Sequence, residues 1–115
     1  MKLPHHEKAI IRRAKIVDYL LSRAHKDGRG KAEFFESFGF NSEHWEILSE
    51  AIKRHAGEHE VNKSETSPFG MRYIIDGALD APDGRRPEVR AVWFIEAGTD
   101  VPYLATAYPG KGKRK

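Results

Sequence analysis

The sequence contains no cysteine, which excludes disulfide bonds and thiolate chemistry. It has no apolar run near the roughly 20 residues that a membrane-spanning helix needs. Its first seven residues are MKLPHHE, which lack the apolar stretch of a secretory signal. We therefore expect a cytoplasmic protein without a membrane partner.

The short motifs of several enzyme classes are also missing. The sequence has no glycine-rich phosphate loop, no nucleophile elbow and no His-Glu-x-x-His stretch. His55 and His59 have the spacing that places two imidazoles on one helical face, but Gly57 between them is expected to end the helix. The sequence thus predicts neither a metal site nor a cofactor.

Length and composition fit one small domain. The chain has 115 residues, of which 39% are hydrophobic, enough for a core. Four of its last five residues are cations, and none is an anion. We predict a single α+β domain over residues 1–110, followed by a flexible basic tail over residues 111–115.

Helical periodicity dominates the first half of the chain. Apolar residues at spacings of three and four predict helices over residues 10–24, 31–38 and 42–56. Residues 9–11 could instead be extended. Gly39 is suited to the position after the second helix, and Asn41 or Ser42 to the cap of the third.

Beyond residue 58 the pattern is that of strands. Four strands are predicted over residues 61–65, 71–76, 89–95 and 101–108, the first at an edge and the third central. Short loops favour antiparallel pairing, and the helices must cover one sheet face because neither layer can bury its apolar side alone. The predicted fold is α+β, with two to three N-terminal helices packed on a four-stranded antiparallel sheet.

Cations cluster twice in the first half of the chain. One group holds Arg12, Arg13 and Lys15; the other holds Arg23, Lys26, Arg29 and Lys31. Such clusters attract polyanions, although charge runs are also typical of an ordinary solvated surface.

The connector between the first two predicted helices carries the first candidate site. His25, Gly28, Arg29 and Lys31 combine an imidazole, a flexible backbone and two cations next to a helix start. That combination suits a phosphate group, although a basic connector would look the same. We expect this segment to face Thr106 of the last strand across one groove.

Two further places carry candidate residues. His55, near the end of the third helix, fits either an acid–base catalyst or a buried or capping histidine. Thr106 and Tyr108 alternate on the last strand, and regular alternation places them on the same face as Leu104. A threonine and a tyrosine at this spacing are also ordinary strand residues.

Several segments resemble one family of uncharacterised bacterial domains. The most specific are residues 25–40, with Lys31-Ala32-x-Phe34-Phe35, and Thr106-Ala107-Tyr108-Pro109. Members of that family are stand-alone small proteins, often encoded beside a small partner gene, or C-terminal modules of larger bacterial toxins. The resemblance spans roughly residues 3–109.

That family is similar to the superfamily that groups barnase, EndoU, colicin-type ribonuclease and RelE-like domains. The resemblance implies helices followed by a four-stranded antiparallel sheet, and metal-independent cleavage of RNA by attack of its own 2′-OH. It also implies two partners: RNA and a small cognate antitoxin protein.

The ribonuclease hypothesis gives each candidate residue a role. His25 and His55 are the candidate acid and base, and Lys31 and Arg90 are candidates to stabilise the phosphorane. Thr106 would hydrogen-bond the phosphate. The candidate substrate-binding residues are Gly28, Arg29 and Tyr108. The same cations and aromatic residues would also serve the alternative function, a non-catalytic RNA- or protein-binding module acting with a small partner.

Overall fold

A computed structural model describes residues 1–24 and 29–110 of the chain. Within that part, helix α1 comprises an α-helical turn, Arg13–Lys15, and a π-helical segment, Ile16–Leu20. The other elements are α2 (Arg29–Glu36), α3 (Trp45–Glu58), β1 (Lys63–Ser67), β2 (Gly70–Ala78), β3 (Glu88–Glu96) and β4 (Tyr103–Pro109), with short 3-10 turns at His6–Lys8 and Ser42–His44. The tail predicted at residues 111–115 lies outside the described residues.

The four strands form one antiparallel sheet in the order β1-β2-β3-β4. The helices pack on one face of this sheet, around the fully buried Trp93 of β3 and Phe35 of α2. Strand β1 is an edge strand and β3 is central, as predicted. The predicted α+β class, with helices preceding an antiparallel sheet, is confirmed.

Helix α1 is shorter than predicted. Instead of beginning a helix, Ile10 is extended and bridges Tyr103: its N–H donates to Pro102 O at 2.9 Å, and its carbonyl accepts from Leu104 N at 3.2 Å. At the other end, Leu21 N–H donates to the carbonyl of Ile16, five residues back, at 2.7 Å. This bond closes a π turn, which widens the helix where a 3.6-residue period was expected to continue.

Of the two residues predicted to mark the ends of the third helix, Asn41 does act as a cap, whereas Gly57 does not end the helix. The Asn41 side chain accepts from His44 N at 3.1 Å and caps the short 3-10 turn Ser42–His44, which leads directly into α3. Gly57 does not end the helix, which continues to Glu58 with His59 N–H donating to His55 O at 3.1 Å. A glycine inside a helix costs only about 1 kcal/mol, which tertiary packing readily offsets.

A bulge in β4 corrects the predicted orientation of its side chains. Val92 pairs with Thr106, but its neighbour Trp93 pairs with Leu104, so that Ala105 is an extra residue. Leu104 therefore points into the core beside Trp93, whereas Thr106 shares a sheet face with Val92. The prediction that Leu104 and Thr106 share one face was wrong, because it assumed unbroken alternation.

The second face of the sheet, which we call the open face, lies opposite the helices. The register places three cross-strand rows on it: Asp76, Arg90 and Tyr108; Ile74, Val92 and Thr106; and Arg72, Phe94 and Tyr103. Paired residues project from the same side of a sheet, so these rows share one face, in which Ile74 and Val92 are buried between the outer rows.

Gly70, the first residue of β2, provides a test of this packing. Its φ of +150° is rarely adopted by other residues, and a Cβ atom there would overlap the carbonyl oxygen of Ile95. We expect Gly70→Ala to lower the free energy of unfolding by about 3 kcal/mol or more. The matched control is Gly98→Ala, where φ is +85° but nothing lies within 4 Å, with an expected cost of about 1–2 kcal/mol. Equal losses in urea unfolding would contradict the close approach of β2 to β3.

Candidate functional site

Tyr19 joins α1 to the edge strand β4. Its hydroxyl group lies 3.2 Å from Thr106 Oγ1, and the ammonium groups of Lys15 and Lys31 lie 5.0 and 5.2 Å from the centre of its ring. Both lysines are within cation–π distance. We call Lys15, Tyr19, Lys31 and Thr106 the tyrosine cluster.

Local structure explains why Tyr19 has this position. Ile16 and Leu20 of the π-helical segment are fully buried and anchor it in the core. The wider π turn leaves Tyr19 directed at β4, where the bulge places the Thr106 hydroxyl. Single π turns and strand bulges both occur frequently at functional sites.

The cluster alters the acidity of Tyr19. Burial alone would raise the pKa of the phenol, but hydrogen bonds with Thr106 and Lys31 and the charges of Lys31 and Lys15 outweigh burial. The net effect lowers the pKa of Tyr19 below its ordinary value of 10.0. Two ammonium groups beside two hydroxyl groups form a surface that can bind a phosphate group.

A second polar group lies beside the cluster on the open face. Arg90 donates from Nε to Asp76 Oδ1 at 2.7 Å and from NH2 to Asp76 Oδ2 at 2.8 Å. Hydrogen bonds with Asp76 and Tyr108 raise the pKa of Arg90, and the bond from Arg90 lowers the pKa of Asp76. Arg90 is therefore held as a partner of Asp76, and Tyr108 lies opposite it in the register of β3 and β4.

Strand β4 connects the two groups. Thr106 and Tyr108 are two residues apart beyond the bulge and project from the same face, about 7 Å apart along the strand. The structure thus brings four of the sequence-predicted residues to one surface: Lys31, Arg90, Thr106 and Tyr108. Their roles in chemistry stay predictions.

His55 occupies a different environment. It is 1% exposed, and its Nε2 lies 3.1 Å from Gly77 O and 3.0 Å from Val89 O. Carbonyl oxygens only accept, so Nε2 carries the proton, and Nδ1 is buried with no hydrogen-bond partner in the described part of the chain. Burial, together with the neighbouring His59, lowers the pKa of His55. The structure does not bring His55 to the tyrosine cluster, since it packs between α3 and the sheet.

The remaining predicted residues lie at the connector before α2. His25 and Gly28 are outside the described residues, and Arg29 is the first residue of α2. The expectation that this connector faces Thr106 is therefore tested only at Lys31, which meets Thr106 through Tyr19.

Sequence reasoning missed two members of the cluster. From the sequence alone, Lys15 is one member of a basic group, and Tyr19 has no predicted role. The spacing of Lys15 and Tyr19 could have linked the two residues, because residues four apart on a helix lie on one face. Tyr19 and Thr106 are separated by 87 positions in the sequence, so no local sequence pattern predicts their contact.

The part of the chain that the structure describes contains neither a candidate metal cluster nor a helix able to span a membrane. No three of its histidine, aspartate and glutamate side chains are arranged to hold a metal ion. None of the described helices has the length and apolarity needed to cross a membrane.

By its architecture the chain is an α+β domain with N-terminal helices on a four-stranded antiparallel sheet. It belongs to the family DUF6883, described as a domain of unknown function, whose model matches residues 2–111. No curated protein matches the sequence. Membership of the barnase, EndoU, colicin and RelE superfamily stays a prediction.

A solved structure shares this fold. It is a contact-dependent growth inhibition toxin–immunity protein complex from Klebsiella pneumoniae 342, one chain of which superposes with a TM-score of 0.67. The match covers 88% of this chain and 99% of that chain, at 13% sequence identity. At this identity the similarity shows a common fold.

The environment of His55 predicts how stability depends on pH. Because the pKa of His55 is lower in the folded protein than in the unfolded chain, the unfolded chain binds more protons below about pH 6.5. The free energy of unfolding should therefore fall between pH 7 and the folded-state pKa, with His55 contributing at most about 1.4 kcal/mol per pH unit.

Urea unfolding at pH 7.5 and pH 5 measures this contribution. His55→Gln keeps an N–H donor for the two carbonyl groups but does not titrate, so it should reduce the loss of stability on acidification. His44→Gln changes an exposed histidine and serves as the control. The same pH dependence in His55→Gln and the wild type would contradict a buried, neutral His55.

Proposed function

We propose that this chain is a toxin-type ribonuclease domain that cleaves RNA without a metal ion, with the RNA 2′-OH as nucleophile. The observation that supports the proposal is the tyrosine cluster, in which two lysines and two hydroxyl groups lie together at β4, the strand that also carries Tyr108 opposite Arg90. A phosphodiester bound there would contact cations and hydroxyl donors together, as a developing phosphorane requires.

Each side chain has a role in this proposal. Lys15 and Lys31 stabilise negative charge on the phosphorane, and Thr106 hydrogen-bonds a non-bridging oxygen. Arg90 shares its charge with Asp76, and Tyr108, which lies opposite Arg90 in the sheet, contacts the substrate. The lysines therefore supply more of the electrostatic stabilisation than Arg90 does.

Proton transfer requires an acid and a base. His25 keeps its predicted role, which is based on the sequence alone. His55 was predicted for the same task, but its enclosure behind the sheet favours a structural role. Tyr19, with its lowered pKa and its position beside Thr106, is an additional candidate to donate a proton to the leaving 5′-oxygen.

The shared fold supports the toxin part of the proposal. The Klebsiella pneumoniae structure holds a toxin together with its immunity protein. By analogy we propose that a small cognate protein binds and inhibits this domain. The analogy concerns the fold, so the activity itself needs a direct test.

Single substitutions at the cluster test the activity. Lys31→Ala removes one cation and Thr106→Val removes one hydroxyl group at nearly constant volume. We expect each to lower kcat/KM for RNA cleavage by about 100-fold, by analogy with removal of one transition-state donor. Both should also relieve growth inhibition when the protein is induced in bacteria.

Two controls accompany this measurement. Lys53→Ala removes a cation from α3, away from the cluster, and should cleave like the wild type. Added EDTA should not slow the wild type. Unchanged cleavage by both Lys31→Ala and Thr106→Val would contradict the assignment of the active site to this cluster.

The contacts of the tyrosine cluster also suit the second candidate function, an RNA-binding module. Lysine, tyrosine and threonine side chains suffice to bind phosphate without cutting it. In that case the wild type would bind RNA with a steep salt dependence and would leave it intact. Lys31→Ala would then weaken binding, and no variant would alter cleavage.

A further inference from the structure

A cleft of about 200 Å³ lies between the segment preceding α1 and the start of β4. It is lined by Ile10, Arg12, Lys15, Tyr103 and Leu104. Leu104 is buried, whereas Ile10 is 48% exposed and Tyr103 is 37% exposed. The cleft therefore combines an apolar interior with two cations.

Backbone pairing fixes the apolar walls. Ile10 bridges Tyr103 through hydrogen bonds of 2.9 Å to Pro102 O and 3.2 Å from Leu104 N. On the open face, the ring of Phe94 supports Tyr103 at a centroid distance of 5.8 Å. The aromatic ring is thus held in place before any ligand arrives, which lowers the entropic cost of binding.

The cleft adjoins the tyrosine cluster. A neighbouring groove is lined by Arg12, Ala14, Lys15, Asp18 and Tyr19. Arg12 and Lys15 line both spaces, and the ammonium group of Lys15 also lies over the Tyr19 ring. A ligand bound at the cluster can therefore extend past Lys15 into the cleft.

We propose that this cleft binds a nucleobase of single-stranded RNA, adjacent to the phosphate held by the tyrosine cluster. The base stacks on Tyr103, and Arg12 and Lys15 contact the connecting phosphates. The inference rests on the proposed function and deepens it, since it assigns a substrate subsite to the same surface.

The chemistry of the walls favours a nucleotide over other ligands. A purely apolar ligand would leave the charges of Arg12 and Lys15 without a counter-charge. A free phosphate would make no stacking contact with the exposed aromatic ring of Tyr103. A nucleotide unit carries both a flat π face and an anion. Stacked aromatic residues beside cations are the general means by which proteins hold single-stranded nucleic acid.

The test is a double-mutant cycle in which the Tyr103 ring and one RNA base are removed singly and together. The probe is an oligonucleotide with 2′-O-methyl groups at every position except one, so that cleavage is confined to a single bond. Two further probes lack the base on one or the other side of that bond. Affinity is measured by fluorescence anisotropy with the fully 2′-O-methylated versions.

Tyr103→Ala should weaken binding of the intact probe by about tenfold. Removing one of the two flanking bases should weaken binding to the wild type by a similar factor, but should not weaken binding to Tyr103→Ala further. Tyr103→Phe, which keeps the ring, should bind like the wild type. Phe69→Ala, at an exposed aromatic residue outside the cleft, is the matched control.

The outcomes separate this inference from the proposed function. If the wild type cleaves the probe but Tyr103→Ala binds and cleaves equally well, the subsite is overturned and the nuclease stands. If the probe is bound with the expected dependence on Tyr103 but is never cleaved, the subsite is supported and the nuclease fails. Loss of affinity that is equal for intact and abasic probes would also overturn stacking on Tyr103.

Discussion

The hydrogen bond between Tyr19 and Thr106 is the contact on which the site depends. It connects the helical layer to the edge strand of the sheet, so the positions of Lys15 and Lys31 are fixed relative to β4. Part of the β4 edge is covered separately, by the backbone bridge between Ile10 and Tyr103.

This contact depends on two irregularities in the backbone. The π turn at Ile16–Leu20 turns Tyr19 toward the edge, and the extra residue Ala105 brings Thr106 onto the open face. Both irregularities cost regular hydrogen bonding, and proteins tend to retain them where a side chain must be aimed.

The sequence predicts the layers well and the site only in part. Buried residues such as Trp93 and Leu48 follow the strand and helix periods, because burial imposes those periods on any sequence that folds this way. Periodicity assumes a regular element, so it extended α1 too far and placed Thr106 on the same face as Leu104. It also had no means of finding Tyr19, since no local pattern encodes a contact with a strand 87 residues away.

The cations near the site differ in whether an ion pair offsets their charge. Arg90 is held by two hydrogen bonds to Asp76, so the field of that pair largely cancels at a distance. Lys15 forms no ion pair among the described residues and lies where the cluster and the Tyr103 cleft meet. The positive charge of Lys15 is therefore not offset by an ion pair among the described residues at the edge formed by α1 and β4. A polyanion would be drawn to that edge first, and there it would find the hydroxyl groups and the aromatic ring already in position.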